Sequence, residues 1–164
     1  MSAAVKVGNL EIVKWLVKQS YYMSGNICAI AAKYCRLDIL KWLSIHHLPI
    51  NKFTFSSAVY GGDLETVQWL IRVRCPIDED GVIRNVIKGK RYEVLEFLDS
   101  NEVIKWNEEN KEGCKWLLEN RRPLDLSAAI EAARSGNLNL LNWLLDNDCP
   151  YNIGRIFPEF SRNL

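Results

Sequence analysis

The chain has 164 residues, of which 48% are hydrophobic and 25% charged, and its 21 basic and 20 acidic side chains leave a net charge of +1. That is the length and composition of one folded domain, without the polybasic segment that would point to nucleic acid as a partner. No apolar run reaches the roughly 18 residues of a membrane helix, Met1 to Gly8 lacks the pattern of a secretory leader, and five cysteines without a disulfide-rich density read as reduced thiols in the cytoplasm.

A repeat organises everything else. Trp15, Trp42 and Trp69 are 27 residues apart, as are Trp116 and Trp143, and Phe97 follows Trp69 by 28. A large side chain precedes most of these aromatics by five residues: Leu10, Leu37, Leu64, Tyr92 and Leu138, with Lys111 in the place before Trp116. Proline follows the tryptophan by seven (Pro49, Pro76, Pro123, Pro150) and Asn or Asp by nine (Asn51, Asp78, Asp125, Asn152). A small residue lies eleven before the aromatic at Ala4, Ala31, Ala58 and Ala132, with Val86 in the fourth unit.

In chain order the units are predicted at about 1–25, 26–52, 53–80, 81–107, a shortened 108–126 and 127–152, followed by a tail over 153–164. Each unit reads as a helix–turn–helix. In the first, Gly8 closes a short helix of small residues and Asn9 caps a second one that carries Trp15. In the second and fourth, Arg36 and Arg91 hold the cap column and cannot cap. The third is the most complete: its first helix runs to Tyr60, Gly61 and Gly62 stop it, and Asp63 caps a second helix whose apolar residues Leu64, Val67, Leu70 and Ile71 keep helical spacing. Pro76 ends that helix, and Asp78 favours a local turn by bonding its own backbone. Glu11, Asp38, Glu65 and Glu93 sit in the first turn of their second helices, where the helix dipole favours an acid. The fifth unit is 8 residues short, since Phe97 and Trp116 are only 19 apart. It keeps its second helix and loses most of the first. The polar stretch 99–113 stands there instead, with Trp106 either plugging the gap or exposed. The sixth unit repeats the pattern with Gly136, Asn137 and Trp143. In the tail, Gly154 and Pro158 argue against another full helix. The segment then either folds back as an apolar lid through Ile156, Phe157 and Phe160 or docks a partner, unless the chain is a piece of a longer array.

One unit cannot bury its own apolar face, but stacked neighbours can. The fold expected is therefore all-α, a helix–turn–helix repeat solenoid, with the Trp column in its core. Gly-Asn-Leu-Glu-Ile-Val-Lys-Trp-Leu (8–16), Gly-Asp-Leu-Glu-Thr-Val-Gln-Trp-Leu (62–70) and Gly-Asn-Leu-Asn-Leu-Leu-Asn-Trp-Leu (136–144) resemble ankyrin repeats. The Trp column, the period of 27 and the pairs Cys75-Pro76 and Cys149-Pro150 are similar to the short ankyrin-type repeats of giant DNA viruses of protists. The resemblance implies an ankyrin-like array with shortened hairpin fingers, and a protein-interaction module in the cytoplasm, that of the host if the source is viral.

No catalytic constellation is present: both histidines, His46 and His47, fall in one loop, and there is no nucleophile elbow, phosphate-binding glycine loop or His-Glu-x-x-His pair. The spacings of Cys28, Cys35, Cys75 and Cys149 do not make a zinc site. Neither a metal nor a cofactor is expected, and the chain is not read as an enzyme. The residue nine before the aromatic is Lys6, Lys33, Tyr60, Lys88 and Arg134, four cations in five, at the outward end of each first helix. On an ankyrin-like array that is the concave face. These residues and Trp106 are the candidate protein-binding positions, and an acidic protein surface is the expected partner. Nucleic acid and membrane are not expected as partners, and the chain is expected to be a monomer or to associate weakly with itself. The rival function is a structural, self-assembling component whose uncapped array ends stack chain on chain.

Overall fold

The computed structural model describes residues 1–19 and 26–160. Twelve helices, and no strand, occur among the described residues. The chain forms two compact units, 1–104 and 105–164. The fold is an all-α, ankyrin-like succession of helix–turn–helix pairs.

In the 1–104 unit the pairs are α1 (Ser2–Val7) with α2 (Leu10–Lys18), α3 (Ile27–Lys33) with α4 (Leu37–Ile45), α5 (Lys52–Gly61) with α6 (Leu64–Arg72), and α7 (Glu79–Gly89) with α8 (Tyr92–Ser100). The first helices α1, α3, α5 and α7 pack one on the next. The 105–164 unit holds a lone α9 (Glu108–Asn120), the pair α10 (Leu126–Arg134) and α11 (Leu138–Asp146), and α12 (Ile153–Phe160). The shortened fifth unit thus contributes α9 alone.

Helix ends explain why so short a period suffices. After each of α4, α6, α8, α9 and α11 one residue takes a left-handed conformation: His47, Arg74, Glu102, Arg121 and Asp148, each five after the column aromatic. At four of these the next residue's N–H reaches back to the carbonyl five residues earlier, as in Leu48 to Leu43 at 3.2 Å and Cys75 to Leu70 at 3.0 Å. This closure satisfies carbonyls that the helix end would otherwise leave open. First helices end the same way at Gly8, Cys35, Lys90 and Gly136, where Asn9, Arg36, Arg91 and Asn137 donate to Ala4, Ala31, Val86 and Ala132. The small-residue column is therefore the acceptor of the closing bond as well as a packing position. Helix starts follow the expected caps: the side chains of Asn9, Asp63 and Asn137 accept from the N–H of Ile12, Thr66 and Leu140. Asn51 and Asp125 likewise cap α5 and α10. Asp78 makes no such cap bond; its carboxylate lies 3.9 Å from the Lys52 ammonium.

Two expectations are corrected. The Trp column is core only in the 105–164 unit, where Trp116 and Trp143 are buried. In the 1–104 unit Trp15 is 59% exposed, and Trp42, Trp69 and Phe97 are half-buried. The core there is the pair of columns two before and one after the aromatic: Leu40 with Leu43, Val67 with Leu70, and Leu95 with Leu98, all fully buried. At ~100° per residue these two columns centre the buried stripe and the tryptophan falls on its flank. The Trp42 ring there stacks on His46, with ring centroids 3.8 Å apart. In the tail, 153–160 is helical despite Gly154 and Pro158. Asn152 supplies the carbonyl that accepts from Arg155 and Ile156, so the first turn forms before the proline is reached. The helix packs on α10 as one first helix does on another. It is no simple apolar lid, because Phe157 stands exposed while Ile156 is half-buried; the side chain of Phe160 lies outside the described structure.

Truncating Leu43 or Leu70 to alanine should cost ~2–5 kcal/mol, the range for buried leucine. Trp15→Ala should cost under ~1 kcal/mol, so denaturant midpoints must fall in that order. Arg74→Gly and Lys90→Gly should each raise stability by ~0.5–1 kcal/mol, because relief of left-handed strain exceeds the added chain entropy. A lowered midpoint in either variant would show that these side chains are held by contacts stronger than the strain.

Candidate functional site: the outer face of the first helices

Four of the predicted binding residues belong to the 1–104 unit, one per first helix: Lys6 on α1, Lys33 on α3, Tyr60 on α5 and Lys88 on α7. Their place at the C-terminal end of each helix suits a cation, since the dipole there is negative. The three lysines are exposed and Tyr60 is half-buried. Their rings and ammonium groups are paired between neighbours. The Lys33 Nζ lies 4.6 Å from the centre of the Tyr60 ring, and the Lys6 Nζ lies 5.6 Å from that of Tyr34. Tyr60 is therefore the platform for the preceding cation. Cation–π contact of this kind is worth about 0.5–1 kcal/mol at an exposed site and holds the ammonium without neutralising it. No ion pair engages Lys6, Lys33 or Lys88 among the described residues.

Beneath them runs a shallow groove of about 300 Å³ between α3 and α5, lined by Asn26, Ala29, Ile30, Lys33, Phe53 and Ser57. Phe53 is exposed on its rim, with the Lys52 Nζ 5.7 Å from the ring centre. The groove thus combines an apolar floor with two ammonium groups. The sequence columns pointed to Lys33 and missed Phe53, Lys52 and Tyr34. The signal that could have found them is the aromatic adjoining a lysine in Lys52-Phe53 and Lys33-Tyr34.

The face is held in place by arginines that the cap column had left unexplained. Arg36 donates through Nε and one terminal nitrogen to the Lys6 carbonyl, at 3.3 and 3.2 Å, and Arg91 Nε donates to the Tyr60 carbonyl at 3.1 Å. Each closes the C-terminal end of the preceding unit's first helix, beside the residues of the candidate face. Gly8 and Gly62 make room: a Cβ at Gly62 would lie 2.5 Å from Arg91 Cδ, and one at Gly8 would lie 2.9 Å from Arg36 Nε. Gly62 also has a φ of +84°, so a side chain there would be strained twice over.

The other two candidates belong to the 105–164 unit. Arg134, at the end of α10, is exposed and its Nε lies 3.1 Å from the Glu159 carboxylate of α12. That carboxylate raises the guanidinium's already high pKa. Trp106 is half-buried in the segment before α9.

The buried cysteines serve packing. Cys75 Sγ donates to the carbonyl of Asn51 at 3.3 Å and Cys149 Sγ to that of Asp125 at 3.2 Å, so each Cys-Pro pair ties the end of a second helix to the residue that caps the first helix of the same pair. Burial pushes the thiols of Cys28 and Cys75 up to about 11. Among the described residues no group of three His, Cys, Asp or Glu side chains could hold a metal ion, and no helix is long and apolar enough to cross a membrane.

Residues 28–71 match the family model of ankyrin repeats (many copies). This stretch is similar to ankyrin repeats. It runs from α3 into α6 and contains Lys33, Tyr60 and the whole groove except Asn26. Comparison with curated proteins gave no match, and neither did comparison with solved structures.

Thiol chemistry checks this packing. The folded state keeps Cys28 and Cys75 protonated well above the ~8.5 of a free thiol. Their contribution to stability is thus complete below that pH and is lost as pH rises from there towards about 11. The urea midpoint should fall over that window, and less so in Cys28→Ala. At pH ~8 an alkylating reagent should modify the exposed Cys35 first, with Cys28 and Cys75 reacting only on unfolding.

Proposed function

We propose that the protein is a binding module, without catalytic chemistry of its own, that takes a protein partner on the outer face of its first helices, and that this partner presents an acidic surface. The observation that carries the reading is the set of three exposed lysines, Lys6, Lys33 and Lys88, none of them neutralised by an ion pair among the described residues and two of them seated on tyrosine rings. Cations held in fixed positions without a counter-ion are prepared for an anion, and little side-chain entropy is lost when one arrives. The ankyrin similarity supports the coarser part, since such repeats are general protein-interaction modules. Successive first helices lie about one helix diameter apart, ~10 Å, which is close to the Debye length at ~0.1 M salt. The lysines then act as a stripe. Such a stripe raises the association rate more than the lifetime of the complex.

Arg134 and Trp106 belong to this proposal as secondary positions, the first in competition with Glu159. The balanced overall charge supports a protein over nucleic acid. We place the module in the cytoplasm, that of a host cell if the source is viral, on the strength of its five free thiols and of the resemblance.

Selection from a displayed peptide library tests the reading. Peptides recovered on the parent protein should be enriched in Asp and Glu. The double reversal Lys33→Glu, Lys88→Glu should slow their association by about tenfold at low salt and flatten its salt dependence, with the helical content unchanged. Binders without acidic enrichment, or equal association rates for parent and reversal, would reject the lysine stripe.

A further inference from the structure

The first turn of α5 departs from the repeat. The residue sixteen before the column aromatic is Asn26, Phe53, Gly81 and Ser127 in the second, third, fourth and sixth units, so only the third puts an apolar side chain there. Lys52 beside it is likewise the one cation at its own position in those units. Phe53 is 60% exposed, yet its backbone is fixed. The Asn51 carboxamide accepts from the N–H groups of Phe53 and Thr54, at 3.1 and 3.2 Å, and the buried Thr54 hydroxyl accepts from the Asn51 N–H at 3.3 Å. An exposed ring on a turn already held in place gives contact area at little cost in chain entropy. The ring lines the groove between α3 and α5 together with Ala29, Ile30 and Ser57. The volume of that groove, about 300 Å³, is at the bottom of the ~300–1,000 Å³ range of small-molecule pockets, so it suits one apolar side chain and not a compact ligand.

A cation stands at each end of this groove. Lys33, seated on the Tyr60 ring, is at the C-terminal end of α3, and Lys52, over the Phe53 ring, is at the N-terminal end of α5. Asn26 and Phe53 line the one end and Lys33 the other, and the seven residues from Asn26 to Lys33 rise ~10 Å. Lys33 has no ion pair among the described residues. Lys52 shares the Asp78 carboxylate at 3.9 Å, a long and exposed pair that contributes little and yields to a closer acid. An extended strand puts alternate side chains on one face, and four residues of it span ~13 Å. The lysine side chains take up the difference. We infer that the groove reads a short extended segment of the partner with the pattern acid-x-apolar-x-acid, its central side chain against Ile30 and Phe53 and its two carboxylates on Lys33 and Lys52. This rests on the acidic-partner reading above and adds the position at which that partner is apolar. Charge alone would accept any acidic run. A third carboxylate in the middle, however, would lose its water against the Phe53 ring, which is costly without a partner of its own.

Titration of the isotope-labelled full chain with synthetic peptides at low salt, followed by amide chemical shifts, tests this. The peptides share Gly and Ser flanks and differ in five residues: Glu-Ser-Leu-Ser-Glu, Glu-Ser-Ser-Ser-Glu and Gln-Ser-Leu-Ser-Gln. So small a contact is far below the roughly 800 Å² per partner of a standard interface, so the first peptide should bind in the high-micromolar range. Its shifts should centre on Ala29, Ile30, Phe53 and Ser57. It should bind about tenfold more tightly than the serine peptide, as burial of one leucine allows, and about tenfold more tightly than the glutamine peptide. Phe53→Ala opens the groove and Ser57→Phe fills it. Each should abolish the preference for leucine and keep that for Glu over Gln, and the amide spectrum shows directly whether each variant is folded. Equal affinity for the leucine and serine peptides, with the glutamine peptide weaker, would overturn the groove and leave the acidic-partner reading standing. Equal affinity for the Glu and Gln peptides would overturn both. A first peptide that gives no shift at ~1 mM, or shifts centred on another face, would overturn the groove alone, since library selection decides the lysine stripe separately. So would a folded variant of either kind that still prefers leucine.

Discussion

The structure depends on closing a helix within a few residues. A period of 27 residues leaves room for two helices of about two turns each and almost nothing to join them. The left-handed residue at the helix end, followed by a bond to the carbonyl five residues back, reverses the chain at once and leaves few main-chain groups unpaired. Every later feature follows from it. The carbonyl that accepts this bond in the first helices belongs to the small-residue column, whose side chains Ala31, Val86 and Ala132 are buried. The turn delivers Asn9, Asp63 or Asn137 directly to the start of the next helix as its cap. Where Arg36 or Arg91 stands in that place, the cap is forgone and the side chain spans to the preceding unit.

Much of this was legible in the sequence because a repeat states each position several times. The period, the two-helix unit, the caps at Asn9, Asp63 and Asn137 and the loss of one helix in the fifth unit could all be counted from residue columns. What misled was size. Tryptophan is the largest residue in the pattern, and a stacking repeat must bury something large, so the column read as core. The structure buries the leucines beside it, because the centre of the helical stripe is set by angle and not by volume. In the tail, Gly154 and Pro158 are poor helix residues, yet α12 forms because it has α10 to pack on. Tertiary burial outweighs local propensity in such short helices.

The candidate face was half legible for a related reason. A column shows which residues share an orientation; it does not show which residues of adjacent units touch. Tyr60 looked like an exception among cations until its ring was found under Lys33. Tyr34 stands one position off the column and so was invisible to the count, although it does for Lys6 what Tyr60 does for Lys33. The groove of Ile30 and Phe53 arises only when α3 and α5 are placed side by side.

The arginine contacts carry a consequence for how such an array can grow. Arg36 lies over Gly8, and Arg91 lies over Gly62, so glycine units and arginine units alternate through the first four units. The geometric period is one unit, but the chemical period is two. Duplicating the second unit alone would set a new arginine against Cys35, whose Cβ occupies the space that Gly8 leaves open. Copying a glycine unit together with its arginine neighbour would reproduce every contact. Within the first four units, the set of contacts that repeats is therefore that of a pair of units, 54 residues of chain and not 27.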